Sequence, residues 1–242
     1  LCEKTGYSKV FFGNSGAEAN ECAIKLARKY SFDKYGKDAK RYNIITLVNS
    51  FHGRTLCTLS ATGQDVFHNY FFPFVEGFIN VEANNIDDLR AKTDDSVCAV
   101  MFEFVQGEGG VIPLDKAFVD EIFKLCAEKD ILTIADEVQT GVGRTGKLLA
   151  SQHYNVKPNI TTLAKGLAGG IPIGACLADE KCADVLVKGT HGSTFGGNPI
   201  ACAGGLVVLS KAGDERFLAE VREKGDYLRA KLLEIPEVEG VD

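Results

Sequence analysis

Short apolar runs rich in β-branched residues alternate along the chain with segments whose apolar positions recur at helical spacing. The runs at 9–12, 43–48, 77–81, 97–103, 131–135, 160–163 and 174–178 read as strands. Helical patterns fall at 17–30, 86–92, 115–129 and 182–188 and, beyond the last strand, at 199–209 and 215–233. This alternation predicts a mostly parallel α/β sheet whose strands are joined by crossover helices and covered on both faces. Glycine-rich stretches (GNSGAEANE, QGEGG, GLAGGIPIG, TFGGNP) sit at strand-to-helix junctions, which in an open α/β sheet form the ligand-binding rim. No repeat or linker-like stretch interrupts the pattern. The first residues (LCEKTGYSKV) read as part of a helix and the last (KLLEIPEVEGVD) as a helix ended by Pro236. The chain is therefore expected to be a piece of a longer one.

Composition narrows the class without changing this picture. Of 242 residues, 45% are apolar and 25% charged, and a globular chain of this length buries most of its surface without a disulfide or metal staple. No apolar run reaches the roughly eighteen residues of a membrane span, and no basic-then-apolar leader opens the chain. A cytoplasmic protein with no membrane partner is expected. The eight cysteines form no C-x-x-C pair and mostly lie inside apolar runs such as VCAVMF. They are expected to be reduced core thiols, with no metal site among them. A formal charge of −6 with interspersed signs argues against a nucleic-acid partner.

Candidate chemistry gathers at the strand ends. Ser15, Gly16 and Ala17 follow a strand and open a helix, where free N–H groups and a hydroxyl suit a phosphate; read alone, Ser15 serves equally as an ordinary N-cap. Phe51, His52 and Arg54 follow the second strand and offer an aromatic face and a planar fork for a carboxylate. The bland alternatives are a core Phe, a structural His and a solvated Arg. The run ILTIA delivers Asp136 and Glu137 to the rim with an apolar strand behind them. A poorly solvated carboxylate there is a candidate partner for a bound cationic group. The same stretch has a rival reading, in which Gly141–Lys147 (GVGRTGK) has the spacing of a phosphate-cradling loop. Leu148 lacks the hydroxyl that such a loop needs next, and the loop follows the Asp where a nucleotide triphosphatase has it well upstream. Lys165, just past another apolar strand, sits where its amine can be partly desolvated and nucleophilic.

Ser15-Gly16-Ala17, Phe51-His52, Asp136 and Lys165 together supply the needs of pyridoxal 5′-phosphate: a phosphate anchor, an aromatic for the ring, a carboxylate for its nitrogen and a Schiff-base lysine. With FGNSGAEANE, SFHGRT, FEFVQGEGG, ADEVQTGVGRTG and HGSTFGGNP, the sequence resembles the class III (ornithine-type) aminotransferases of fold type I over nearly its whole length. The resemblance implies that residues 1–242 are the large coenzyme-binding domain. It implies phosphate contacts from Ser15, Gly16 and Ala17, ring packing by Phe51 and Val138, and a place for His52 beside the coenzyme. Asp136 would pair with the ring nitrogen, Gln139 would approach the phenolic oxygen and Lys165 would bond the coenzyme.

Thr194 would reach the phosphate of a neighbouring subunit, making the partner a second copy. Arg54 would grip the substrate α-carboxylate, and Glu103 would pair with a second arginine that the family carries beyond Asp242. Phe104 departs from the family's usual proline. The implied reaction moves the distal amine of N-acetylornithine or ornithine to 2-oxoglutarate. The 4-aminobutyrate aminotransferases and the aminomutases share the coenzyme; Arg54, where aminomutases typically carry His, favours the ornithine type.

Overall fold

A computed structural model describes residues 1–235. The strands are β1 (Lys9–Gly13), β2 (Asn43–Leu47), β3 (Phe78–Val81), β4 (Val97–Phe102), β5 (Val105–Gln106), β6 (Ile112–Pro113), β7 (Leu132–Asp136), β8 (Ile160–Leu163) and β9 (Gly174–Ala178). The α-helices are α1 (Cys2–Thr5), α2 (Gly16–Tyr35), α3 (Leu56–Ala61), α4 (Ile86–Lys92), α5 (Lys116–Glu128), α6 (Ser151–Tyr154), α7 (Pro199–Ala212) and α8 (Glu215–Leu233). Seven strands form one sheet in the order β1-β9-β8-β7-β4-β2-β3, and β5 pairs with β6 in a separate small ribbon. Neighbours from β8 through β3 run parallel. Strand β9 is antiparallel to both β8 and β1, a reversal that the alternation of elements does not encode. Two reversals cancel, so β1 points the same way as the parallel set. The C-terminal ends of β1, β2, β4, β7 and β8 therefore share one rim.

Burial explains the sheet. Strands β4, β7 and β8 are buried at every position, as parallel strands covered on both faces must be. Adjacent residues take opposite sides. Ile44, Met101 and Ile134 pack with Cys22, Ala23 and Leu26 of α2, whereas Ile45, Val100 and Phe102 pack with Phe118, Val119 and Ile122 of α5. Phe104 joins the second cluster, fully buried and stacked on Tyr154 at 4.9 Å between ring centroids. The ring thus fills core volume that a proline at this position would leave open. The cysteines are free thiols, five of them buried. Burial pushes Cys98 and Cys126 up to about 12, which keeps them protonated and unreactive. Among the described residues no helix is long and apolar enough to cross a membrane.

Three details depart from the pattern. Helix α2 continues past the expected residue 30 to Tyr35, because nothing breaks it before Gly36, whose φ of 77° stops the helix. Residues 182–188 are not helical. Asp179 O accepts from Cys182 and Ala183, but the next bond, Val185 to Cys182, has already tightened by one residue. Val185 and Leu186 pack against the α2-side core instead, and β-branched Val185 and Val187 disfavour a helix there. Helix α3 was not evident from periodicity, although Thr55 and Thr58 form a reciprocal capping box that starts it. Pro236, expected to end the last helix, lies outside the described residues.

Candidate active site

The shared rim surrounds a cavity of about 700 Å³, within the range of small-ligand sites. The end of β1 contributes Ser15, Gly16 and Ala17; that of β2, Phe51 and His52; that of β4, Glu103. Strand β7 contributes Asp136, Val138 and Gln139, and β8 contributes Lys165. Residues that are up to 150 positions apart by number, Ser15 and Lys165, thus meet because parallel strands deliver their ends to one side.

The α2 end is built for close approach. Ser15 caps the helix, its Oγ accepting from the Glu18 N–H at 3.2 Å. The expected phosphate-binding residue is therefore the helix cap, and the next N–H groups of the helix, at Gly16 and Ala17, have no acceptor within it. A Cβ at Gly16 would come within 2.8 Å of Val138 Cγ1, and one at Gly174 within 2.1 Å of Ser15 O. Side chains at either position would force the helix start to shift.

Asp136 is held by three donors. Only 4% exposed, its Oδ2 accepts from Asn20 Nδ2 and His52 Nδ1, each at 2.8 Å. Its Oδ1 accepts from the Val138 N–H at 3.0 Å. A carboxylate has about four acceptor sites, so Oδ1 keeps one for a further donor in the cavity. A carboxylate there accepts, which assigns the donor role to His52 Nδ1, and among the described residues the buried His52 Nε2 has no hydrogen-bond partner. Asn20 is braced in turn: its Oδ1 accepts from Thr162 Oγ1 at 2.7 Å, and its Nδ2 also donates to His52 O at 2.7 Å. Sequence reasoning missed Asn20 and Thr162. The available signal was an amide among the small and apolar residues of α2, a costly burial unless its bonds are met.

Glu103, 5% exposed, receives the N–H groups of Phe51 at 3.0 Å and Gly107 at 3.4 Å. Burial pushes its carboxyl up to about 7, against the opposing pull of His52. Among the described residues it pairs with no arginine.

Glu137, next to Asp136, faces the scaffold. It accepts from the N–H groups of Ala150 and Ser151, the latter at 3.0 Å, and from Thr140 Oγ1 at 3.4 Å. Burial pushes it up to about 7. This arrangement defeats the phosphate-loop reading of residues 141–147. The N–H groups of Gly143, Arg144 and Gly146 bond Leu148, Gly141 and Gly143 carbonyls. No helix follows Lys147 directly, and the N–H groups beginning α6 already serve Glu137.

Lys165 follows β8 with a φ of +42°, a left-handed conformation that costs a lysine about 1–3 kcal/mol and persists only where the surroundings impose it. Its side chain is exposed, and its Nζ donates to Gln139 Oε1. Two expected site residues lie outside the cavity lining. Arg54 is exposed, its guanidinium over the rings of Phe51 and Phe67. Thr194 is exposed in a separate groove of about 290 Å³ with Phe11, Asn14 and Ser193.

Comparison with known proteins identifies the family. The chain is 54% identical over 242 residues to the acetylornithine aminotransferase of Haemophilus ducreyi, covering 100% of this chain and 61% of that protein. It is 51% identical over 227 residues to the acetylornithine aminotransferase of Aquifex aeolicus, covering 94% and 59% respectively. The chain thus spans about three-fifths of the length of these relatives. Among solved structures, the ornithine aminotransferase of Toxoplasma gondii superposes with a TM-score of 0.90 at 37% identity, over 99% of this chain and 58% of that one. The N-acetylornithine aminotransferase of Stenotrophomonas maltophilia gives 0.79 at 37%, over 99% and 59%. Class III aminotransferases depend on pyridoxal 5′-phosphate, and a second Toxoplasma ornithine aminotransferase structure is described with that coenzyme at its active site. The class-III aminotransferase pattern matches residues 1–241, and the chain belongs to that family.

Proposed function

We propose that the chain is the large coenzyme-binding domain of a transaminase that moves the distal amine of N-acetylornithine or ornithine to 2-oxoglutarate. The products are a semialdehyde and glutamate. The observation that carries this reading is the pairing, in one cavity, of a buried carboxylate with one acceptor site to spare, Asp136, and an exposed lysine on a strained backbone, Lys165. That pair fits pyridoxal 5′-phosphate, whose ring nitrogen needs an anionic acceptor and whose aldehyde needs an amine. When bound, the coenzyme supplies an electron-withdrawing ring that stabilises negative charge on the carbon bearing the amine.

The protein does the rest. Ser15, Gly16 and Ala17 hold the phosphate at the start of α2, where the helix dipole favours an anion. Phe51 and Val138 take the two faces of the ring, and Gln139 takes its phenolic oxygen. Asp136, held by His52, Asn20 and Val138, keeps the ring nitrogen protonated. Lys165 Nζ would bond the coenzyme aldehyde with loss of water, and once the substrate amine takes its place the freed Nζ would accept the proton leaving the substrate carbon. Arg54 receives the α-carboxylate, which leaves the distal amine to react, and Glu103 awaits the second arginine. Thr194, outside this chain's cavity, serves the site of a second copy in a homodimer. In this reading the protein is cytoplasmic and works in arginine metabolism.

The test is an assay of the full-length protein with 2-oxoglutarate and a panel of N-acetylornithine, ornithine and 4-aminobutyrate. The highest kcat/KM is expected with one of the first two. Preference for 4-aminobutyrate, or turnover of none, overturns the proposal.

A further inference from the structure

Arg54 is a cation at the end of the segment that follows β2. Among the described residues no carboxylate lies within 4.0 Å of it, and none of its N–H groups donates to a protein acceptor. It is held instead by aromatic faces: its guanidinium carbon lies 4.5 Å from the Phe67 ring centroid and 5.6 Å from that of Phe51. The two rings meet edge to face at 5.8 Å, 71° apart. Phe51 lines the cavity, so this arrangement sits at the cavity's edge.

The Phe67 ring rides on a single 3₁₀ turn, Asp65–Phe67, that is fastened on both sides. Gln64 Nε2 donates to Ser50 O at 3.1 Å, immediately before Phe51. After the turn, the His68 ring nitrogen Nε2 lies 2.9 Å from Leu59 O, and the His68 ring packs on Phe74. Phe67 is therefore a fixed platform rather than a loose loop side chain.

Ring contact and ion pairing hold an arginine in different ways. A carboxylate partner would occupy the N–H fork and cancel the charge. An aromatic face attracts the guanidinium through the ring quadrupole while leaving the donors at its edge unspent. We propose that Phe67 is a positioning residue for substrate recognition: its ring presents the Arg54 fork, uncompensated, to the carboxylate of an amino-acid substrate at the mouth of the cavity. This inference rests on the reading of Arg54 as the α-carboxylate receptor. It makes Phe67 a determinant of selectivity for amino acids over plain amines.

The test uses the full-length, coenzyme-loaded protein and two matched donors, N-acetylornithine and N-acetyl-1,4-diaminobutane, the same molecule without its α-carboxylate. Phe67→Ala and the volume-keeping Phe67→Leu are both expected to raise KM for N-acetylornithine about fivefold, the scale of a lost cation–ring contact. The kcat should stay within about twofold and KM for the diamine derivative should not move. Phe67→Tyr, which keeps the ring, should restore the wild-type KM. Equal losses on both donors, or a Leu variant that behaves as wild type, would overturn the platform role. Arg54→Ala separates the two layers of the argument: if it raises KM for N-acetylornithine and the Phe67 variants do not, only this inference fails. If Arg54→Ala leaves both donors alike, the carboxylate-receptor reading fails and takes this inference with it.

Discussion

Strand β7 ends on one carboxylate, Asp136, and another, Glu137, follows it directly; the two live in different chemistries. Asp136 faces the cavity and is held mainly by side chains from other elements, Asn20 of α2 and His52 after β2, with one acceptor site left over. Glu137 faces the scaffold and is held mainly by backbone N–H groups of the α6 start and by Thr140, three residues on. Both are buried, 4% and 0% exposed. Burial alone therefore does not mark the working group. The distinction is whether the donors close the carboxylate off or orient it toward open volume.

Substitutions should pull these two roles apart. The largest effect is expected from Asp136→Asn in the full-length protein, which should lose roughly a thousandfold in turnover, about 4 kcal/mol of transition-state stabilisation. It should still bind coenzyme and keep its thermal midpoint within a few degrees. Near-normal turnover would remove Asp136 from its role. Glu137→Ala should do the reverse, lowering stability by about 3 kcal/mol, because two buried N–H groups and a hydroxyl lose their acceptor. Denaturant titration checks this, and an unchanged midpoint would show that the 137–151 loop does not depend on it.

Asn20→Leu should fall between the two. It removes one donor from Asp136 and the acceptor of Thr162, so coenzyme affinity measured by absorbance titration should weaken by about tenfold, or 1.4 kcal/mol. Unchanged affinity would reduce Asn20 to packing.

A further effect is one of pH. Burial lifts Glu103 and Glu137 from 4.5 to about 7, so the folded protein binds more protons than the unfolded chain between those values. Their contribution to stability is complete below about pH 4.5 and is lost as pH rises toward 7. Glu103→Gln should flatten the dependence of coenzyme-free stability across that window; a steeper dependence would reverse the assigned sign.

Much of this was legible in the residues. All seven strands of the main sheet follow from runs of apolar and β-branched residues, and Asp136 and Lys165 stand out because charged residues end apolar strands. What stayed hidden depends on contacts between distant segments. The reversal of β9 leaves no trace in its own sequence, since a buried antiparallel strand carries the same apolar run as a parallel one. The turns at 182–188 arise because core packing of Val185 and Leu186 overrides a helix-like spacing. Asn20 looks like any polar residue on a helix until His52, Asp136 and Thr162 surround it. Phe67 lies in a segment with no periodic pattern, and its meaning comes only from the guanidinium above it.

The central claim is that Asp136 and Lys165 form two ends of one coenzyme site. It is tested most directly by adding pyridoxal 5′-phosphate to the full-length protein, reducing with borohydride and mapping the modified peptide. The account predicts a single stable adduct on Lys165 and its loss in Lys165→Ala. An adduct on another lysine, or one that persists in that variant, would contradict it.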